Sequence, residues 1–415
     1  CKQPLNCFLS SGGEYWCVRI SRATPPPSLL KRLASRGETA GGPRLPDLAS
    51  RSRIARRSSL GPPLHQPSEW PCELSILSTS PPAVRAREEP SVEAWQTELR
   101  AAIRDPRQLC AALGLPAELA EQGRAAAADF PCFVPPAYLA RIQRGNPADP
   151  LLRQVLPAVD EGREAAGLLA DPVAEAAAVQ APRLLQKDPR RALLVATSAC
   201  PVHCRYCFRR HFPYTDHAAG DAAWGPAVDA LRADPSIEEV ILSGGDPLTV
   251  TDRRLAALVE QLAALPHVVR LRIHTRMPVM IPSRVTPALL DWLTGSRLTP
   301  VLVLHANHAR ELDGDVAAAV DRLRRGGVML LNQAVLLAGV NDSVDEQCAL
   351  SRRLTAIGVV PYYLHQLDRV CGAAHFEVPV PQGREIVAEM RRRLPGYAVP
   401  TYVQEVPGEL HKAVL

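Results

Sequence analysis

From Arg190 onward, runs rich in Leu and β-branched residues alternate with amphipathic stretches of helical spacing, and this alternation leaves few folds open. Strands are expected at Ala192–Thr197, Glu239–Leu242, Val268–His274, Val301–His305, Val328–Val335 and Val359–Leu364. Between them the spacing predicts helices at Trp224–Ala233, Asp252–Ala264, Pro287–Leu293, Asp315–Arg325 and Val344–Ala356. Such β/α units in series predict an α/β fold whose parallel sheet curves into a barrel or partial barrel. A helix at Arg384–Leu394 and a strand at Ala398–Gln404 complete the pattern. Barrel chemistry gathers where the strands end. Polar motifs fall at those ends: Cys200 after the first strand, Ser243-Gly244-Gly245-Asp246 after the second, His274-Thr275-Arg276 at the third, His305-Ala306-Asn307-His308 at the fourth and His365-Gln366-Leu367-Asp368 at the sixth. Asn332-Gln333 lies within the fifth.

The sequence before the barrel divides in two. Residues 1–88 are rich in Ser and Arg and broken by Pro25-Pro26-Pro27, Pro62-Pro63 and Pro81-Pro82, which predicts a disordered or overextended tail. Residues 89–187 read as an N-terminal helical region, with helices expected at Val92–Ile103, Pro106–Leu113, Glu118–Ala128, Pro135–Arg144 and Pro150–Val155. The barrel then spans 188–380, and 381–415 carry the last helix, the last strand and a turn.

A net charge of +5 over 415 residues, with basic and acidic groups interspersed, argues against a nucleic-acid partner. No apolar run is long enough to cross a bilayer. Of the 11 cysteines only one group has regular spacing, which fits a reducing cytoplasm better than a disulfide framework.

That group is Cys200, Cys204 and Cys207, a C-x-x-x-C-x-x-C loop. Three thiolates hold three irons of a [4Fe-4S] cubane and leave the fourth iron open to another ligand. The same thiolates with His203 or His211 would instead make a tetrahedral zinc site, although structural zinc usually draws on two separated ligand pairs. Near the other end, Val406-Pro407-Gly408-Glu409-Leu410-His411-Lys412 puts a lysine after a Pro-Gly turn. Taken alone, a lysine there is a solvated surface group.

The cysteine spacing, with Tyr206 before its last member, resembles the radical S-adenosylmethionine (SAM) superfamily. Over residues 91–412 the chain resembles the lysine 2,3-aminomutase family more specifically. The resemblance is carried by Cys200-Pro201-Val202-His203-Cys204-Arg205-Tyr206-Cys207-Phe208-Arg209-Arg210, by Leu242–Leu248, by His274–Val279, by Leu331–Leu337, by Gly339–Asp342, by Pro361–Asp368 and by Gly372–Phe376. It implies a partial (β/α)6 barrel of the radical SAM type. It also implies two cofactors beside the cluster, SAM and pyridoxal 5′-phosphate (PLP), and an isomerase that moves the amino group of L-lysine from Cα to Cβ.

Residue by residue, the resemblance assigns Cys200, Cys204 and Cys207 to the cluster and Gly244, Gly245 and Asp246 to SAM. Lys412 becomes the lysine that attaches PLP, with Arg191 beside it. Arg209 takes the substrate carboxylate, and Asp368 with Glu405 takes the remote ammonium. His274, Arg276, Gln333 and Asn307 line the SAM and PLP pockets.

The family's Pro-Gly-Gly-Gly-Gly-Lys turn has lost its glycine run here, and Glu405 stands where the family has Asp. The altered turn and the short segment after Lys412 resemble the bacterial branch that makes β-lysine, as the (R) enantiomer, for modification of elongation factor P. That branch implies functional links to elongation factor P and its lysyl-transferring ligase, and an electron donor such as flavodoxin or ferredoxin. The alternatives are a catabolic lysine 2,3-aminomutase, a relative acting on glutamate or arginine, and a non-catalytic metal-binding protein of translation. An acidic pair at the distal pocket disfavours glutamate.

Overall fold

The computed structural model describes residues 94–163, 165–212 and 224–415, together with two short strands nearer the N-terminus. Those strands, β1 (Asn6–Leu9) and β2 (Tyr15–Val18), pair antiparallel within a first unit, Cys1–Ala83. The expected tail over 1–88 contains this pair and otherwise lies outside the described residues.

The second unit, Val84–Leu415, is built on one sheet. Its strands are β3 (Val179–Ala181), β4 (Leu184–Asp188), β5 (Arg191–Thr197), β6 (Glu239–Gly244), β7 (Arg270–Thr275), β8 (Thr299–His305), β9 (Met329–Val335), β10 (Val360–His365), β11 (Thr401–Gln404) and β12 (Ala413–Val414). They lie side by side in chain order, and β5 to β11 are all parallel. β4 and β3 extend one edge antiparallel, and β12 extends the other. β3 and β12 do not pair, so the barrel is partial and open.

Helices Gly225–Ala233, Asp252–Ala263, Pro287–Thr294, Gly314–Arg325, Val344–Ala356 and Val380–Arg393 follow β5 to β10 in turn. Gly314–Arg325 illustrates how sequence sets them. The Asp313 side chain caps its first turn by accepting from Val316 N at 3.0 Å, and three arginines close its last turn, where cations suit the helix dipole. Val316, Ala319, Val320 and Leu323 form its buried stripe. Burying each of the larger ones contributes roughly 1.5–3 kcal/mol.

Because side chains alternate across a strand, Leu242, Ile273, Leu302 and Leu304 are buried in the main core. The residues between them, Ile241 and Ser243, Arg272 and His274, and His305, line the interior cavity.

Helices Ala94–Arg100, Pro106–Leu113, Ala117–Gln122, Arg124–Asp129, Pro136–Leu139 and Pro150–Arg153 precede the sheet. The single helix expected over Glu118–Ala128 is broken at Gly123, where a Cβ would lie 2.1 Å from Pro157 O. The expected helical region to residue 187 ends instead in the β3–β4 hairpin. Its turn uses Arg183 at φ 68°, so the glycine or asparagine that usually marks a hairpin is missing. The boundary drawn at residue 188 falls inside β4. The last helix starts at Val380 rather than Arg384, with Pro381 in its first turn, where the missing N–H costs nothing. Among the described residues no helix is long and apolar enough to cross a membrane.

Candidate active site

The strand ends and the cysteine loop enclose one cavity of about 440 Å³. Cys200, Cys204, Cys207, Arg191, Arg209, Gly244, Gly245, Asp246, His274, Arg276, Gln333, Asp368, Glu405 and Lys412 all line it. Asn307 does not. It is buried, donating to Tyr206 Oη at 2.6 Å and Gln154 Oε1 at 3.1 Å, and accepting from Val335 N.

The N-terminal helical layer holds the cysteine loop. Arg205, fully buried, forms a two-point pair with Glu161 at 2.8 and 2.6 Å, and Arg205 N donates to Gln154 O at 2.9 Å. Tyr206 Oη meets Asn307 and His305 Nε2, which fixes the loop between its last two cysteines. Burial raises the Cys200 thiol well above its ordinary value and Cys207 to about 12, and the neighbouring cysteines add to both shifts. Three thiols crowded in this way suit a multi-iron cation, which would stabilise all three as thiolates. His203 is unsuited to a zinc site: its ring stacks on Phe130, its Nδ1 meets Pro131 O at 2.8 Å, and neither it nor His211 lines the cavity.

The glycine motif works chiefly through its backbone. Gly244 has φ 113°, and a Cβ on it would lie 2.7 Å from Thr197 O. A Cβ on Gly245 would lie 2.3 Å from Ala199 O. The two glycines let β6 press against the strand that leads into Cys200. Asp246, expected to contact SAM, has its carboxylate engaged within the protein. It accepts from Thr275 Oγ1 at 2.7 Å, Leu248 N at 3.0 Å, Arg276 N at 2.7 Å and Met277 N at 3.0 Å. Its side chain therefore ties the ends of β6 and β7 together, and burial still raises its pKa despite these bonds.

Across the cavity, Pro407-Gly408 makes a turn closed by Glu409 N to Val406 O at 3.2 Å, with Gly408 at φ 85°. This matches a type II turn, with Pro first and Gly at the left-handed position. Only Gly408 needs that conformation, so Glu409, Leu410 and His411 replace glycines without strain. β12 then pairs with β11, and Lys412, just before it, faces the cavity.

Lys412 Nζ donates to Glu405 Oε2 at 2.5 Å, and Lys187 Nζ reaches Glu405 Oε1 at 3.2 Å. Burial alone would raise the Glu405 pKa, but Lys412 and then Lys187 bring it below the ordinary value. Asp368 has the opposite balance: burial first, then Glu405, raise it to about 7.

Arg209 forms a two-point pair with Glu175 at 2.8 and 2.6 Å and also donates to Ser243 Oγ and Gly244 O at 2.8 and 3.2 Å. His274 Nε2 and His365 Nε2 are buried in this cavity without a hydrogen-bond partner. Burial lowers both imidazoles, His365 to about 3 and His274 well below its usual range, so both are neutral and offer a ligand a polar atom. A primary amine, the Arg191 and Arg272 guanidiniums and these open ring nitrogens form a donor set that fits PLP.

Sequence reasoning missed Glu175, Lys187, Gln154, Glu311 and Arg272. The first two lie in or beside the unanticipated hairpin. Arg272 was legible, standing two residues before His274 on the same face of β7.

Residues 190–268 match the family model described as "4Fe-4S single cluster domain". The chain is 46% identical to an L-lysine 2,3-aminomutase of Escherichia coli over 79% of this chain and 95% of the relative. It is 43% identical to an L-lysine 2,3-aminomutase of Haemophilus influenzae over 77% of this chain and 95% of the relative. An L-lysine 2,3-aminomutase of Clostridium subterminale is 36% identical over 76% of both chains.

Proposed function

The chain belongs to the L-lysine 2,3-aminomutase family, and from that premise we propose that it makes (R)-β-lysine for attachment to elongation factor P. It is an isomerase that moves the amino group of L-lysine from Cα to Cβ, using a [4Fe-4S] cluster, SAM and PLP. One observation carries the assignment of residues: three cysteines, Arg209 and Lys412, separated by 205 positions from Cys207 to Lys412, line the same cavity.

Cys200, Cys204 and Cys207 would hold three irons, leaving the fourth for SAM. The cluster and SAM supply a one-electron route to a carbon radical, and PLP supplies a π-bond beside the migrating nitrogen. Lys412 would attach PLP, with Arg191 and Arg272 as cations for its phosphate. Arg209 would receive the substrate carboxylate, its guanidinium already oriented by Glu175 and Ser243. Asp368 and Glu405 would receive the remote ammonium; Asp368 must lose its proton to do so, and a cation at that position favours the loss.

The test is anaerobic reconstitution with iron and sulfide, then incubation with L-lysine, SAM, PLP and dithionite. (R)-β-lysine is the expected product on chiral chromatography. Release of α-lysine alone would defeat the proposal, and the (S) product would remove the branch assignment. Adding elongation factor P and its lysyl-transferring ligase should give a mass increase on that factor equal to one lysyl residue. Flavodoxin and ferredoxin are the proposed electron donors, tested by replacing dithionite with each. Cys110, Cys132, Cys200, Cys204, Cys207, Cys348 and Cys371 are free thiols, in keeping with a cytoplasmic site of action.

A further inference from the structure

Arg276 was expected to line a cofactor pocket, yet its guanidinium is directed at a cysteine. Nη1 lies 2.8 Å from Cys204 Sγ, while Nη2 donates to Gln154 Oε1 at 2.7 Å and Glu311 Oε2 at 2.8 Å. Its backbone N–H is held by Asp246 at 2.7 Å, and its guanidinium carbon sits 5.8 Å from the ring centres of both Tyr206 and Tyr138. The side chain is therefore fixed at both ends, and it is 5% exposed, so water does not compete for the contact. Glu311, itself buried, balances the charge of Arg276. What reaches the sulfur is a directed N–H group rather than a distant, unpaired cation.

We propose that Arg276 is a positioning residue for the iron–sulfur cluster, donating a hydrogen bond to the Cys204 sulfur and so raising the cluster's reduction potential. This rests on Cys204 being a cluster ligand, as proposed above. One-electron reduction adds negative charge that spreads onto the ligating sulfurs. A donor to one of those sulfurs stabilises the reduced form more than the oxidised form, which raises the potential. Arg276 thereby makes the cluster easier for its donor to reduce. It is held by Asp246, from the glycine motif at the end of β6, and by Gln154 and Glu311 from elements on either side. Residues that never touch the cluster thus set how readily it accepts an electron.

The test is an electron paramagnetic resonance redox titration of the reconstituted protein without SAM, which separates this effect from any direct contact with SAM. In Arg276→Met the midpoint should become more negative. At the wild-type midpoint the reduced-to-oxidised ratio should fall about tenfold, equivalent to about 59 mV for a one-electron couple. Arg276→Lys, which keeps a cationic donor, should shift less.

A wild-type midpoint in an Arg276→Met protein with full iron content would overturn the proposal. Should that variant not fold, Arg276→Gln, whose amide is too short to reach the sulfur, takes its place with the same two outcomes. Cys204→Ser separates this inference from the reading beneath it. If that variant keeps an unaltered cluster signal, the ligand assignment is what fails.

Discussion

Gly245→Ala tests whether the glycine motif serves the cysteine loop through direct backbone packing. The new methyl would sit 2.3 Å from Ala199 O and 2.8 Å from the carbonyl carbons of Ser198 and Ala199. Ordinary contacts between such atoms are about 3.5 Å, so the segment entering Cys200 must retreat by roughly 1 Å. Overpacking of this kind costs about 1–3 kcal/mol. The retreat also stretches two backbone hydrogen bonds of 2.7 Å, Gly245 N to Thr197 O and Asp246 N to Ala199 O. At about 2–4 °C per kcal/mol, the melting temperature should fall by roughly 2–12 °C. A displacement of about 1 Å at a reacting centre lowers turnover on the order of 100-fold. The assays are iron content after reconstitution, the paramagnetic resonance signal with and without SAM, and thermal unfolding. A variant with wild-type stability and an unchanged cluster signal that has lost only its response to SAM would refute this reasoning. The glycine would then serve SAM directly rather than the loop.

Lys412→Ala should abolish the visible absorbance of bound PLP while leaving the cluster signal intact, as read by parallel optical and resonance spectra. Arg209→Lys keeps the charge but loses the planar fork that can grip a substrate carboxylate at two points, and should raise the KM for lysine at least tenfold in steady-state assays. Asp368, with its pKa raised to about 7, is neutral below that value and charged above it. The KM for lysine should therefore fall as pH rises through 7, and Asp368→Asn should have a high KM without that dependence. The same shift sets the sign for stability without substrate. A carboxyl raised on folding contributes stability that is fully present below about pH 4 and is lost as pH rises through 7. In thermal melts Asp368→Asn should therefore gain on the wild type progressively between about pH 4 and 7 and level off above 7.

The barrel was legible because each strand is a Leu- or Val-rich run followed by a helix of regular spacing. Val344–Ala356 appears as expected, and most other barrel elements shift by one to three residues. The missed elements lack local signals. β4 is five residues long, and its turn puts arginine where a hairpin ordinarily places glycine. β12 has only two residues and is recognisable only from its pairing with β11. The site was legible as a set of residue types at strand ends, whereas their partners were not. Glu175 meets Arg209 across 34 positions, Lys187 meets Glu405 across 218, and Gln154 meets Arg276 across 122. Nothing in local spacing encodes such encounters; the folded sheet creates them. Asp246 shows the reverse: its place in the motif was clear, but only the structure reveals that its carboxylate is engaged internally.

Two of those encounters share an origin. The short stretch around the β3–β4 hairpin supplies Glu175 to Arg209 and Lys187 to Glu405, placing a counter-charge on each proposed anchor. A zwitterion entering this cavity does not fill vacant sockets. With the anchors as proposed, it would compete with Glu175 for Arg209 and with Lys187 and Lys412 for Glu405. Affinity then depends on small differences between similar contacts, while a ligand whose charges are misplaced gains nothing at either end. A redesign for a longer or shorter diamino acid would accordingly begin with that edge hairpin as much as with the barrel strands.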